Sequence, residues 1–492
     1  MKDLIEKNKK IVLGLVFILA FFLITFRFTD TPKVWIDEGI FTNVAETLSS
    51  QGHLGVQTAP NKYFPLGVIL TANYPVVYPI ALSFSLFDVG VFQARLPMLI
   101  YMFALVLLFF LFANKRYGFN IAILSVLFLL SFSPFYGNGR SVLGEVPGLV
   151  FLVLGSLLLF YCEESNFNSK KLTIFSGLAF GLAASTKPIF LILLVPSLVL
   201  VAVFWFKKIK DKKIIPLFAL SFLVPLVFWF FINFPTKELV SQIIPTILNQ
   251  GGGDLPFAKT ILTNFSKFFK ETTPILFMLV LISVLASFFL KIWKNKYRGF
   301  SEAINQSFSA SEFLILIFIL LNWFSYLRGT GWYRYFFGAQ TLLYLLFPAA
   351  IFGLREFFQN KILKQILFVI PILLLVFQFY HLVFLSQTSF TVNRERNSEL
   401  AKEISQIDST KKVLFYNAVE TVVFLKSNHY DQYLSMNGLF EAGNKEALIN
   451  PKYDYIVITH YQNYNFPLPC YTEKKIDRYS LFTRKGNCGG KP

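Results

Sequence analysis

Long apolar blocks separated by short polar connections dominate residues 1–386 of the chain. A helix needs about 20 apolar residues to cross a bilayer, and a chain in lipid must satisfy its backbone hydrogen bonds internally. The blocks are continuous rather than alternating, so they predict helices and exclude a membrane barrel. About eleven transmembrane helices are predicted, near residues 11–27, 91–113, 119–138, 146–162, 172–186, 188–206, 214–234, 274–290, 312–327, 335–354 and 365–386.

Two connections and the C-terminal part depart from this pattern. The connections over 28–90 and 235–273 are long, and the second contains the flexible run Gly251-Gly252-Gly253. Beyond residue 386 the apolar runs become short and charged residues frequent, which predicts a small α/β domain over 387–492. Its predicted elements are a helix over Leu400–Ile407 and strands over Val413–Tyr416, Tyr453–Thr459 and Tyr479–Thr483. The predicted fold is therefore a polytopic α-helical transmembrane domain (1–386) followed by this domain.

Composition and charge support a membrane protein and set its orientation. Only 15% of the residues are charged, against about a quarter in soluble domains. The net charge of +18 comes mostly from short connections that alternate along the chain, which the positive-inside rule assigns to the cytoplasm. We expect a multi-pass plasma-membrane protein with a cytoplasmic N-terminus and an extracytoplasmic C-terminal domain. No basic stripe with interleaved aromatics appears outside the membrane, which excludes nucleic-acid binding.

The first long connection contains a candidate site at Asp37-Glu38. Apolar residues recur at helical spacing from Ile36 to Leu48, which predicts an amphipathic helix on the outer membrane surface. Asp37 and Glu38 stand at its N-terminus, where the helix dipole favours negative charge. Acidic residues are also ordinary in the first turn of any helix, so this position alone does not establish a site.

Further ionisable residues are predicted on the same outer side of the membrane. Arg140 and Glu145 lie in a very short outer connection, Lys187 lies between two apolar blocks, and Arg334 precedes Tyr335 at the start of another. Each alone is explained as an interfacial anchor. Charged groups at the membrane edge are costly unless they face a cavity, so their shared placement predicts one polar cavity that includes Asp37 and Glu38.

An ordered series of short motifs gives the chain a family resemblance over roughly its first 350 residues. The series is Asp37-Glu38, Tyr74-Pro75-Val76-Val77-Tyr78-Pro79, Gln93-Ala94-Arg95-Leu96-Pro97, Ser133-Pro134, Arg140 with Glu145, Gly177 to Lys187, and Arg334-Tyr335. In order and spacing it resembles the GT-C glycosyltransferases that use polyprenyl-phosphate sugars, such as protein O-mannosyltransferases and lipid A aminoarabinose transferases. One motif departs from the family. Many members carry Lys or His before a Pro-Pro pair where this chain has Asn73-Tyr74-Pro75, and His53 or Lys62 could substitute.

The resemblance implies inverting transfer of a sugar from a polyprenyl-phosphate donor to an acceptor hydroxyl on the extracytoplasmic side. It assigns Asp37 as the base, with Glu38 and Glu145 as further catalytic carboxylates. It assigns the donor phosphate to Arg334, Lys187, Arg140 and Tyr335, because developing negative charge needs cations. The acceptor would be a lipid, a glycan or a protein. No cofactor is assigned, although Asp37, Glu38 and Glu145 offer oxygen ligands for a divalent metal.

Two other functions remain open from the sequence. A transporter or flippase of polyprenyl-linked lipids would use a similar lipid groove and basic headgroup site. The absence of an internal sequence repeat and the paired acids weigh against it. A sensor whose spans only anchor an outer domain would tolerate neutral residues at Asp37, Glu145 and Arg334 together.

Overall fold

The structure, a computed structural model, describes residues 8–65, 72–234, 256–270, 272–298, 300–329, 331–386, 397, 399–427, 429–434, 452–459 and 468–486. Contacts divide the chain into two compact units. The first comprises Met1–Phe26, Ile100–Gly139 and Gly144–Val392, and the second comprises Arg27–Leu99, Arg140–Leu143 and Asn393–Pro492. The predicted gly-rich run at 251–253 and most of the second long connection lie outside the described residues.

The helices of the described residues include those predicted from the apolar blocks. In chain order they are α1 (Lys9–Thr25), α2 (Ile36–Gln51), α3 (Tyr74–Phe87), α4 (Val91–Tyr117), α5 (Phe119–Ser131), α6 (Ser133–Arg140), α7 (Glu145–Glu164), α8 (Lys170–Thr186), α9 (Pro188–Trp205), α10 (Ile214–Asn233), α11 (Phe257–Ser266), α12 (Thr272–Lys294), α13 (Phe300–Ser307), α14 (Ala310–Arg328), α15 (Tyr333–Phe357), α16 (Lys361–Tyr380), α17 (Glu399–Ser405) and α18 (Val419–Val422). A π-helix, His381–Leu385, continues α16.

Each of the eleven predicted spans coincides with helix in the described part of the chain. Eight helices there are long and apolar enough to cross a membrane, and α5 with α6 would make a ninth that is bent by 68°. The two remaining predicted spans correspond to α1 and α8, which have 17 residues each. This length is at the lower limit for crossing the hydrocarbon core, roughly 17–25 residues. The predicted polytopic helical fold is confirmed.

Close helix packing in the first unit uses small residues. A Cβ at Gly177 would lie 2.7 Å from the carbonyl oxygen of Phe218, and one at Gly181 would lie 2.4 Å from that of Phe222. Two glycines four residues apart therefore let α8 approach the backbone of α10, as small residues do between helices in lipid.

The second unit contains all strands that the described residues form. In chain order they are β1 (Gly55–Ala59), β2 (Lys62–Pro65), β3 (Val413–Tyr416), β4 (Tyr430–Tyr433), β5 (Tyr455–Thr459), β6 (Tyr471–Ile476) and β7 (Tyr479–Arg484). Strands β1 and β2 form an antiparallel hairpin, and the others form a sheet in the order β4-β3-β5-β7-β6. Strand β3 pairs in parallel with β4 and β5, whereas β7 pairs antiparallel with β5 and β6.

The second unit also joins the first long connection to the C-terminal segment. The domain boundary at residue 386 stays a prediction. The backbone of α18 contacts α2 so closely that a Cβ on Gly39 would lie 2.4 Å from Cα of Glu420. The amide of Leu434 donates to the carbonyl of Thr58 at 3.0 Å, which ties the end of β4 to β1. The helical spacing of apolar residues along α2 does not reveal that α18 packs against it. An apolar helix face can be buried by a membrane or by another part of the protein, and the pattern is the same in both cases.

Candidate functional site

A buried ion pair joins the first turn of α7 to the junction between α8 and α9. Glu145 opens α7, and Lys187 stands in extended conformation at the junction because Pro188 restricts the preceding residue to extended backbone. Their side chains form a salt bridge in which the Lys187 ammonium donates to Oε1 of Glu145. Both residues are at least 95% buried. Burying either charge without the other would cost roughly several kcal/mol of stability, so each residue needs its partner.

Arg334 and Tyr335 lie at the start of α15 beside this pair. The Lys187 ammonium lies 5.5 Å from the ring centre of Tyr335, and the Arg334 guanidinium lies 5.0 Å from the same ring. Arg334 also donates to the Tyr335 hydroxyl at 3.1 Å. Both contacts have the geometry of cation–π attraction, which holds two cations around one aromatic ring.

A small cavity of about 10 Å³ connects these groups. Glu145, Arg334 and Tyr335 line it together with apolar residues of α9 and α14. Glu145 Oε2 is buried and has no hydrogen-bond partner among the described residues. One carboxylate and two cations give this group a net charge of +1, which attracts an anion.

The second unit holds Asp37 and Glu38 in the first turn of α2. Glu38 is buried, and Arg95 donates to both of its carboxylate oxygens, at 2.8 and 2.9 Å. Arg95 also donates to the carbonyls of Phe28 and Pro32. A bidentate pair of this kind fixes geometry firmly, so Glu38 holds the start of α2 and thereby positions the neighbouring Asp37. Asp37 is half-buried.

Arg140, in the same unit, is buried and donates to the carbonyl and the hydroxyl of Thr31, at 3.2 and 2.9 Å. Thr31 lies five residues before α2. Arg95 and Arg140 therefore both fasten the segment that leads into the helix carrying Asp37.

The structure places the predicted site residues in two groups. Glu145, Lys187, Arg334 and Tyr335 come together in the first unit, whereas Asp37, Glu38 and Arg140 belong to the second. That all of them line one cavity stays a prediction.

Two of the three carboxylates considered for a divalent metal are already paired with cations. Both oxygens of Glu38 accept from Arg95, and Oε1 of Glu145 accepts from Lys187. The described residues contain no cluster of three or more His, Cys, Asp or Glu side chains placed to hold an ion.

Sequence reasoning quoted Arg95 only as part of a motif and missed its role. The available signal was a single guanidinium near the start of an apolar block, which must find a partner. It also missed Glu46 on α2, which is buried. Burial raises the pKa of Glu46 to about 7, against the opposing effect of hydrogen bonds with Tyr430 and Asn43. Asn73, at the position where the family motif departs, is 1% exposed, and its side-chain amide has no partner among the described residues.

Part of the chain is similar to a known protein family. Residues 75–229 match the model of the dolichyl-phosphate-mannose-protein mannosyltransferase family. No curated protein matches the sequence.

Solved structures share the fold. The chain is similar to ArnT from Cupriavidus metallidurans, both bound to undecaprenyl phosphate and in the apo state, with a TM-score of 0.62 and 12% identity in each case. The match to the bound form covers 98% of this chain and 99% of that one. The oligosaccharyltransferase of Archaeoglobus fulgidus, in complex with zinc and sulfate, has a TM-score of 0.50 and 12% identity, covering 91% of this chain and 68% of that one. The family match and the shared fold together confirm the predicted resemblance to the GT-C glycosyltransferases.

Proposed function

We propose that the protein transfers a sugar from a polyprenyl-phosphate donor to an acceptor hydroxyl on the extracytoplasmic side of the plasma membrane, with inversion at the anomeric carbon. The observation that carries this proposal is the buried group of Glu145, Lys187, Arg334 and Tyr335. Its net charge of +1 suits a phosphate at the edge of a bundle of apolar helices. The undecaprenyl phosphate bound by the ArnT structure supports the same donor chemistry here.

The charge change during transfer explains why two cations are needed. A sugar phosphodiester carries one negative charge, and the phosphate that leaves gains another as the glycosidic bond breaks. Arg334 offers a planar fork to two phosphate oxygens, and Lys187 offers a compact ammonium. Glu145 keeps the Lys187 ammonium in place and offsets part of its charge, so the phosphate is bound without being trapped.

Proton removal is assigned to Asp37. Its carboxylate takes the proton of the acceptor hydroxyl while the acceptor oxygen bonds to the anomeric carbon and the sugar–phosphate bond breaks. Glu38 and Arg95 do not contact the substrate in this mechanism. They fix the helix start, and a misplacement of about 1 Å at the base would cost roughly 100-fold in rate.

Purified protein incubated with polyprenyl-phosphate sugars tests the proposal, with the released polyprenyl phosphate measured by mass spectrometry. We expect Asp37→Asn to abolish release while donor binding persists, and Lys187→Gln to weaken donor binding. Lys171→Gln is the matched control, because Lys171 is exposed at the other end of α8. Consumption of a nucleotide sugar in place of every lipid-linked donor would refute the proposal, and full activity of Asp37→Asn would refute the assignment of the base.

A further inference from the structure

A second cavity of the first unit lies on another face of α15. It is about 40 Å³ in volume and is lined by residues of α5, α6, α12, α15, α16 and the π-helix. On α15, Gln340, Leu343 and Tyr344 line this cavity, whereas Arg334 and Gly338 line the one at Glu145. Six helical positions between Arg334 and Gln340 correspond to a rotation of about 240°, so the two sets point in different directions.

The cavity presents polar but uncharged side chains within an apolar bundle. Its polar lining consists of Ser131, Ser133, Gln340, Tyr344, Gln378 and His381. No Lys, Arg, Asp or Glu side chain of the described residues lines it. Polar groups at membrane depth are costly and typically face a functional cavity.

Part of this lining satisfies its own hydrogen bonds. The Ser131 hydroxyl donates to Oε1 of Gln378 at 2.8 Å, and the Gln378 amide donates to the Tyr344 hydroxyl. The Ser133 hydroxyl and His381 Nδ1 are 3.4 Å apart, at the long end of hydrogen-bond distance. This contact involves only one of the two ring nitrogens of His381.

Gln340 is different, because its side-chain amide makes no hydrogen bond with any described residue. The residue is 4% exposed and lines the cavity. A glutamine amide offers two donors and an acceptor. A group bound in the cavity would pair with them.

Two irregularities of the helices border the same cavity. The chain bends by 68° at Phe132, between α5 and α6, and α16 is followed by a π-helix that begins at His381. The π-helix is a rare conformation.

The surrounding helices indicate where a ligand would enter. In the most apolar stretch of α15, 78% of the residues are buried. The corresponding share is 33% for α12 and only 22% for α16 with its π-helix. Phe377, which lines the cavity from α16, is 38% exposed. In a membrane this outer surface contacts lipid, so a ligand would enter from the bilayer.

We propose that this cavity binds the uncharged, hydroxyl-bearing headgroup of a membrane lipid. A charged headgroup would lose its hydration without meeting a counter-charge, whereas a hydroxyl can donate to and accept from Gln340 and His381. A volume of about 40 Å³ holds roughly three water-sized groups, which fits a glycerol hydroxyl with its ester oxygens. The site is independent of sugar transfer.

Dioleoylglycerol is the probe, with dioleoyl phosphatidic acid as the charged lipid of the same chains. The full-length protein in phosphatidylcholine nanodiscs is heated in the presence of each lipid, and its unfolding midpoint is measured. In a second experiment, a diazirine-bearing dioleoylglycerol is cross-linked to the protein, and the labelled peptides are identified by mass spectrometry. We expect dioleoylglycerol, and not phosphatidic acid, to raise the unfolding midpoint and to label peptides of α15 and α16. Gln340→Leu should lower the labelling roughly tenfold, the change expected from loss of one hydrogen bond to a buried group.

The variants separate ligand binding from damage to the fold. Without added dioleoylglycerol, Gln340→Leu should be at least as stable as the wild type, because it removes an unsatisfied amide. His381→Phe should weaken labelling as a second variant, and Gln365→Leu, exposed on the same α16, should leave it unchanged. Equal effects of the two lipids, no effect of dioleoylglycerol, or full labelling of both cavity variants would overturn the proposal. Since no readout involves sugar transfer, failure here leaves the proposed function untouched.

Discussion

Glu46 makes the stability of the second unit depend on pH. Its carboxyl group lies in a buried network with Asn43 and Tyr430, and burial raises its pKa from 4.5 to about 7. Below pH 4.5 the group is protonated in the folded and the unfolded chain, so it has no effect on stability. Between pH 4.5 and 7 the unfolded chain ionises while the folded chain keeps the proton, and stability falls as pH rises. Above pH 7 both states are ionised and the dependence ends.

The magnitude follows from the two pKa values of Glu46. Each pKa unit corresponds to about 1.4 kcal/mol, so the rise to about 7 corresponds to a loss of about 3 kcal/mol by pH 7. Glu46→Gln cannot ionise and retains an oxygen that accepts a hydrogen bond from Tyr430. The variant should therefore gain up to about 3 kcal/mol over the wild type at pH 8 and nothing at pH 4.5.

Thermal unfolding of the detergent-solubilised chain, measured at pH 5, 6, 7 and 8, provides the assay. The wild-type midpoint should fall relative to that of Glu46→Gln up to about pH 7, after which the difference should stay constant. Glu399→Gln, at an exposed position of the same unit, should follow the wild type. Parallel curves for the wild type and Glu46→Gln would show that the carboxyl group is solvated, and the reasoning would fail.

Three further substitutions have definite expected outcomes. Arg95→Leu leaves Glu38 buried without its cation and should lower the stability by about 3–5 kcal/mol in thermal unfolding. The double variant Arg95→Leu with Glu38→Leu should recover much of this stability, and a double variant as unstable as the single one would contradict the pairing. Gly39→Ala places a methyl group against the backbone at Glu420 and should increase amide hydrogen exchange in α2 and α18. Unchanged exchange would show that the two helices are not in close contact. Gly181→Val should separate α8 from α10 and lower the unfolding midpoint, more than Gly14→Val does where a side chain has open space; equal effects would contradict close packing.

The sequence predicts the helices of this protein well, because the bilayer imposes a length and a polarity on each span. It also places Lys187 correctly at a helix junction, since Lys187-Pro188 both ends and begins a helix. The strand at Val413–Tyr416 is found as predicted because it is a short apolar run between polar segments.

Other features depend on partners far away in the chain, which periodicity does not reveal. Strand β4 (Tyr430–Tyr433) has a polar sequence and is strand because β3 pairs with it. Glu145 and Lys187 are 42 positions apart, and Glu38 and Arg95 are 57 apart. From sequence, Glu38 and Asp37 are equivalent acids in a first helical turn. Only the position of Arg95 identifies Glu38 as the carboxylate that fixes the start of α2.

The second unit is built from segments that are far apart in the chain, and this affects its folding during synthesis. Its first segment ends at Leu99 and its last begins at Asn393, so 294 positions separate them. At about 5–20 residues per second, a ribosome needs roughly 15–60 seconds to cover that interval. During this time α2 lacks α18, and β1 lacks β4. Nascent molecules should therefore require a chaperone or the membrane surface to protect the early segment, and premature termination near residue 390 should leave it open to proteases.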